Sequence, residues 1–235
     1  MLRVAVARVP EPPAGGEVAQ PGWFGESERR RWGQLAARAR PAFVASRALL
    51  RELLQAATGV PAPAWDVSAQ AGSAPVARAA PGLGDVGAIH ASLSHRLGWV
   101  AAAVADVPVG IDIEVERPAR SEAADRAALM LSPDEIPAWQ SLPADERDAA
   151  LLARWAAKEA WFKASPPGAA PWDFRHVAAR ACGPVHANVR TWTAPPLQVA
   201  VCCADSQALA DVRCDGLADL AQNGSWHVHR VVAAA

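Results

Sequence analysis

Asp112 and Glu114 occupy alternate positions in Val109-Gly110-Ile111-Asp112-Ile113-Glu114. Apolar–acidic alternation of period two puts both carboxylates on one face of a strand. A third acid, Glu159, lies in Trp155-Ala156-Ala157-Lys158-Glu159-Ala160-Trp161-Phe162-Lys163, where the pattern is helical. At about 100° per residue, Glu159 falls between Leu152, Trp155 and Phe162 on the apolar stripe. A carboxylate turned inward requires a cation, a proton or several donors. Same-face acids on a strand also repel unless a cation lies between them. Three such acids drawn together suit a hard divalent cation, Mg²⁺ foremost. Gly110 leaves room for a backbone or ligand to approach. The plainer alternative is a wet strand face and an ordinary Glu159–Lys163 helix pair, which accounts for each piece singly.

Other residues could serve the same chemistry. Lys163 projects with Glu159 toward the buried side of its helix, near Leu152 and Ala156, whereas Lys158 points elsewhere and is expected to be free for a phosphate or solvent. Ser94 and His95 stand among small polar residues at a strand end, in Ser92-Leu93-Ser94-His95-Arg96-Leu97-Gly98-Trp99. Arginines crowd one early segment, Arg29, Arg30, Arg31, Arg38, Arg40, Arg47 and Arg51. Guanidinium forks match phosphate oxygens, against the simpler reading of solvated helix faces. Arg47 stands out because its helix is otherwise apolar. His227 and His229 alternate on a terminal strand and are expected at the surface. There is no glycine-rich phosphate loop and no Gly-x-Ser-x-Gly elbow.

The elements that must position these residues are legible in outline. Leu2 to Val9 reads as a strand, Glu26 to Ala37 as a short basic helix, and Pro41 to Ala57 as an amphipathic helix ended by Gly59 and Pro61. Ile89 to Leu93, Trp99 to Ala105 and Val109 to Glu116 read as strands, the last two as a hairpin through Asp106-Val107-Pro108. Helices follow from Ser121 to Leu131 and from Ala144 to Ala164, with Ser132 and Glu135 at capping-box spacing between them. Short strands and turns complete the chain. The predicted class is α+β.

The bulk numbers narrow the field. The chain has 235 residues, 51% hydrophobic and 20% charged, which supports a substantial core. A net charge of −1 gives no electrostatic case for nucleic acid. No apolar run approaches the roughly 18 residues of a membrane span, and the N-terminus does not read as a signal peptide. Cys182, Cys202, Cys203 and Cys214 show no metal spacing, so a reduced cytoplasmic protein is expected.

Taken in order, Ser92-Leu93-Ser94-His95, Val109-Gly110-Ile111-Asp112-Ile113-Glu114 and the Trp155–Lys163 helix resemble the signatures of the 4′-phosphopantetheinyl transferases. The length and the Phe43–Arg51 helix are similar to the long, two-lobed surfactin-type branch, which serves polyketide and nonribosomal peptide synthesis. The resemblance implies two pseudo-symmetric α+β lobes, here 1–105 and 106–235, with the active site in the cleft between them. It implies transfer of the phosphopantetheine arm of coenzyme A to a serine of an acyl or peptidyl carrier protein, releasing 3′,5′-ADP, by a cytoplasmic monomer. Carried over by motif, Asp112, Glu114 and Glu159 would hold Mg²⁺; the chemistry of the transfer makes Glu159 the candidate base, directly or through a metal-bound water, and Lys163 the group that would stabilise or protonate the departing oxygen. Ser94 and His95, with Lys158 or Lys163, would meet coenzyme A, and Arg38, Arg40 or Arg47 its 3′-phosphate. The family's basic residue between Gly and Pro is missing in Gly72-Ser73-Ala74-Pro75, so either Arg78 substitutes for it or the adenine-side contact is weaker. A reading of a different class is a binding module that docks carrier proteins or coenzyme A without turnover.

Overall fold

Strand periodicity and helix stripes sort the chain into four layers in the computed structural model, which describes residues 1–11, 17–68, 70, 72–83, 86–116, 122–166, 173–215 and 225–233. The first half holds β1 (Leu2–Arg8), α1 (Glu26–Gln34), α2 (Arg40–Thr58), β2 (Trp65–Val67), β3 (Ala77–Ala79), β4 (His90–Arg96) and β5 (Trp99–Ala105). The second holds β6 (Val109–Val115), α3 (Ala123–Met130), α4 (Ile136–Gln140), α5 (Arg147–Ala164), β7 (Val177–Ala181), β8 (Val189–Ala194), β9 (Leu197–Cys203), α6 (Ser206–Ala210), β10 (Arg213–Asp215) and β11 (Ser225–Ala233). The α+β class holds.

One sheet has the order β10-β1-β5-β4 and a second β6-β9-β8-β11-β7, while β2 and β3 pair separately. Alternation turns Val4 and Val6 of β1 and Ala101 and Ala103 of β5 toward Ile111 and Ile113 of β6 and Val199 and Val201 of β9, forming a core shared by both sheets. The other face of the first sheet is covered by Leu50, Leu53 and Leu54 of α2. The other face of the second is covered by Ala156, Ala157, Ala160 and Phe162 of α5. Covered on both sides, β5 and β9 are buried at every position. That explains why they read as continuous apolar runs.

Helix α2 ends where the sequence marks it: Gly59 takes φ +77° and its N–H closes on Gln55 O. Two expectations about these elements change. The hairpin of Trp99–Ala105 with Val109–Glu116 does not form: β5 pairs with β1 and β4, and β6 pairs with β9. Both strands have an apolar face, and those faces meet across the shared core instead of lying side by side. The true hairpin is β4–β5, turned by Leu97 and Gly98. The helix expected from Ala144 begins at Arg147, after α4 has ended with its Trp139 indole donating to Arg147 O. Ser121, the expected start of the preceding helix, lies outside the described residues.

His229, expected at the surface, is half-buried on β11, 3.1 Å from the Thr191 hydroxyl. Burial, with Arg154 and His227 adding, pulls its pKa from 6.5 down to about 4. The fold thus favours the neutral ring, and its contribution is complete above pH 6.5. Acidification from there to about pH 4 removes it, a loss on the order of 3 kcal/mol. In denaturant titrations, His229→Gln should flatten the decline of stability over that interval while leaving stability at pH 7.5 nearly unchanged.

Candidate functional site

Strands β4 and β6 are the facing edges of the two sheets. No backbone ladder joins them; two serines do. Ser92 Oγ accepts from Ile111 N at 3.1 Å and Ser94 Oγ accepts from Ile113 N at 3.2 Å. The Ser94 hydroxyl then donates to Asp112 Oδ1 at 2.9 Å. The proton of Ser94 is therefore committed to positioning a carboxylate instead of reaching a ligand.

Helix α5 lies on the acidic face of β6 because Gly110 has no side chain. A Cβ there would sit 1.9 Å from Ala160 O and 2.8 Å from Ala164 N. This close approach brings Lys163 to Asp112, with Nζ 2.6 Å from Oδ1 and 3.1 Å from Ile111 O. Asp112 Oδ2 is buried and has no hydrogen-bond partner among the described residues. Glu114 Oε2 lies 2.9 Å from Arg96 Nε, an ion-pair distance. Glu159 is half-buried, and burial raises its pKa; Lys163 opposes the rise, and the charges of Asp112 and Glu114 add to it. The charges of Asp112, Glu114 and Lys163 thus all act on Glu159.

The oxygen donor set suits a hard cation, and the orphaned Asp112 Oδ2 is an acceptor in want of one. Among the described residues, however, no three His, Cys, Asp or Glu side chains are gathered into a ready metal cluster. Lys163 stands against Asp112, and Arg96 against Glu114. His95 is at the exposed end of β4; partial burial, then Lys163 and Arg96, lower its pKa and favour the neutral imidazole.

Lys158 requires correction. It is 0% exposed, pairs with Glu135, and donates to Met130 O at 2.8 Å and Phe174 O at 3.0 Å. These three partners take up the ammonium protons, so Lys158 is not free for a phosphate or solvent as its position in the sequence suggested. Its partner Glu135 also accepts from Ser132 N at 2.9 Å, Ser132 Oγ at 3.0 Å and Ala179 N at 3.1 Å. Glu135 was visible in the sequence as half of a capping box. Its second role, anchoring the helix that carries Glu159, was not, because the pairing spans 23 residues.

The early arginines divide by environment. Arg51 is buried in a bidentate pair with Glu28, at 2.8 and 2.6 Å, with its guanidinium 4.6 Å from the Trp23 ring. Arg47, one turn earlier, lies 5.1 Å from the Phe43 ring, and its Nε and Nη1 are buried without an acceptor among the described residues. Burial lowers its pKa to about 10; Glu28 opposes that and Arg51 adds to it. Arg40 lies over Trp32, its Nε also buried without an acceptor. Arg38 is exposed just before α2, and Arg78 is exposed on β3 opposite Asp66. No hydrogen bond or ion pair joins these arginines to the acidic group among the described residues.

Residues 108–212 match the 4′-phosphopantetheinyl transferase superfamily. The 4′-phosphopantetheinyl transferase psf-1 of Bacillus pumilus is 38% identical over 88 residues, covering 37% of this chain and 36% of that protein. The match thus spans about a third of the curated relative's length. The segment similar to that superfamily contains Asp112, Glu114, Glu159 and Lys163.

The packing of α5 on β6 yields a direct test. Gly110→Ala must push Ala160 and Ala164 away, costing about 3 kcal/mol by overpacking. Chemical denaturation should show that loss. Ala160→Gly in the same chain should not restore stability, because the clash is with backbone atoms.

Proposed function

We propose that this chain transfers the 4′-phosphopantetheine arm of coenzyme A to a serine of an acyl or peptidyl carrier protein and releases 3′,5′-ADP. The observation that carries the reading is the Lys163–Asp112 contact of 2.6 Å at the β6–α5 packing, with Asp112 Oδ2 buried and unpartnered among the described residues, inside the segment matched to the superfamily. Two lobes, 1–105 and 106–235, with the substrates between them, belong to the same proposal. So do a cytoplasmic, monomeric state and service to polyketide or nonribosomal peptide synthesis.

In the reaction, the serine Oγ forms a bond to the phosphorus bearing the pantetheine arm. The bond from that phosphorus to the bridging oxygen breaks, and the electron pair leaves on 3′,5′-ADP. Glu159 takes the serine proton; its raised pKa makes it a stronger base than an ordinary glutamate. Lys163, one turn on, donates toward the departing oxygen once drawn off Asp112. Asp112 and Glu114, with Glu159, would hold Mg²⁺, which when bound supplies charge neutralisation on the diphosphate. Ser94 holds the Asp112 carboxylate for that purpose. His95 offers a neutral imidazole to a phosphate oxygen as a hydrogen-bond donor.

Of the arginine candidates, Arg47 best suits the 3′-phosphate. Its two buried, unsatisfied nitrogens and depressed pKa describe a guanidinium lacking an anion.

Two experiments decide these points. With coenzyme A, Mg²⁺ and a panel of apo carrier proteins, mass spectrometry should show a gain of about 340 Da on a carrier, and Glu159→Gln should slow it roughly 10²–10⁴-fold. No gain with any carrier would leave the binding-module reading in place. Arg47→Met should weaken coenzyme A binding about 10–100-fold while barely changing 3′-dephospho-coenzyme A binding. Equal losses on both ligands would remove Arg47 from the 3′-phosphate.

A further inference from the structure

The turn between β4 and β5 holds a residue that suits neither its backbone nor its surroundings. Leu97 and Gly98 both have positive φ, 43° and 79°. A two-residue hairpin loop of that kind favours Asn-Gly or Asp-Gly, since a branched apolar side chain crowds its own backbone there. Among the described residues Leu97 is the non-glycine residue with positive φ. It gains no packing in exchange, because it is 59% exposed. Strained residues that their own fold does not need collect at functional sites.

Its neighbours indicate what that function would be. Arg96, immediately before it, is the ion partner of Glu114, and His95 lies one residue further back. Strand register places Arg8, Trp99 and Arg96 in one row across β1, β5 and β4. The Arg8 guanidinium lies 4.5 Å from the Trp99 ring, and Arg8 is exposed. Val9 N donates to Gly98 O at 2.8 Å, tying the turn to the end of β1. Leu97 is thus an apolar knob on a fixed turn, with an exposed cation on one side and the acidic site on the other.

We propose that Leu97 is a docking contact for the carrier protein, its side chain entering the apolar face of an acidic partner helix while Arg8 meets that helix's carboxylates. A protruding leucine beside a cation matches a protein helix with apolar and acidic positions. The inference rests on the transferase reading and adds to it a specificity-determining residue outside the catalytic group.

The test uses the full chain and an apo carrier that the wild type modifies. Leu97→Asn should raise Tm by about 2–4 °C, because asparagine accepts positive φ. It should raise KM for the carrier about tenfold and leave kcat and KM for coenzyme A unchanged. Leu97→Met should keep the wild-type KM. Arg8→Glu should raise carrier KM and flatten its dependence on salt. An unchanged carrier KM in Leu97→Asn overturns the inference while leaving the transferase reading intact. A lower Tm in that variant also overturns it, by showing that the leucine serves the fold. Absence of transfer by the wild type to every apo carrier overturns the transferase reading, and this inference with it.

Discussion

A helix rests on a strand where there is no room for one additional carbon. The absence of a side chain at Gly110 lets Ala160 and Ala164 approach the backbone of β6, and every charge contact between α5 and β6 depends on that distance. Lys163 reaches Asp112 only because the helix axis is this low. Glu159 feels the charges of Asp112 and Glu114 for the same reason. The alanines of α5, at 156, 157 and 160, continue the logic along the helix, since each is buried against the sheet and none holds it away. The site is thus a consequence of small residues at a helix–strand contact, with the acids exploiting the closeness.

Closeness alone does not fix where along the strand the helix lies. An apolar interface of small residues permits sliding and rotation at little cost. The buried Lys158–Glu135 pair supplies directional restraint on the other side of α5. Desolvation is the largest influence on Lys158 and lowers its pKa, with Glu135 opposing. Such a pair adds little net stability, because removing two ions from water consumes most of their attraction. Its value is geometric: the ammonium must reach Met130 O, Phe174 O and Glu135 together. Only one helix setting allows that, and Glu159 is the adjacent residue. Glu28 and Arg51 make a comparable buried pair beneath α2, where Arg47 sits one turn away.

Much of this was legible because local patterns carried it. The alternation around Asp112 and Glu114 identified β6 and the shared face of its acids, and Gly110 marked the close approach. The stripe of α2 and its glycine stop were readable for the same reason. What the sequence concealed was pairing at a distance. Strand β6 follows β5 closely enough to suggest a hairpin, yet an apolar face on each strand is also compatible with two stacked sheets, and only the covering helices decide between them. Lys158 misled for a related reason: α5 is enclosed on two sides, so a lysine off the principal stripe is still inside. The serines of β4 showed no pattern that distinguishes a ligand contact from a hydroxyl bridging two sheet edges.

The acids at the β6–α5 contact are incompletely satisfied, and that incompleteness is physically informative. Asp112 has a serine, an ammonium and one oxygen without a partner among the described residues. A purely structural carboxylate at this depth would be expected to use both oxygens, because an orphaned acceptor costs about 1–3 kcal/mol. Burial above all makes Glu159 hold its proton more tightly, with Asp112 and Glu114 adding to the effect and Lys163 opposing it. Full neutralisation by protein groups would make the site more stable and inert toward any incoming cation or phosphate. Partial neutralisation by lysine is different in kind: the flexible ammonium holds the acids together when nothing else is present and can move to a phosphate oxygen when something is. The residual charge at Asp112 and the unsatisfied guanidinium at Arg47 are opposite in sign and carried on separate elements.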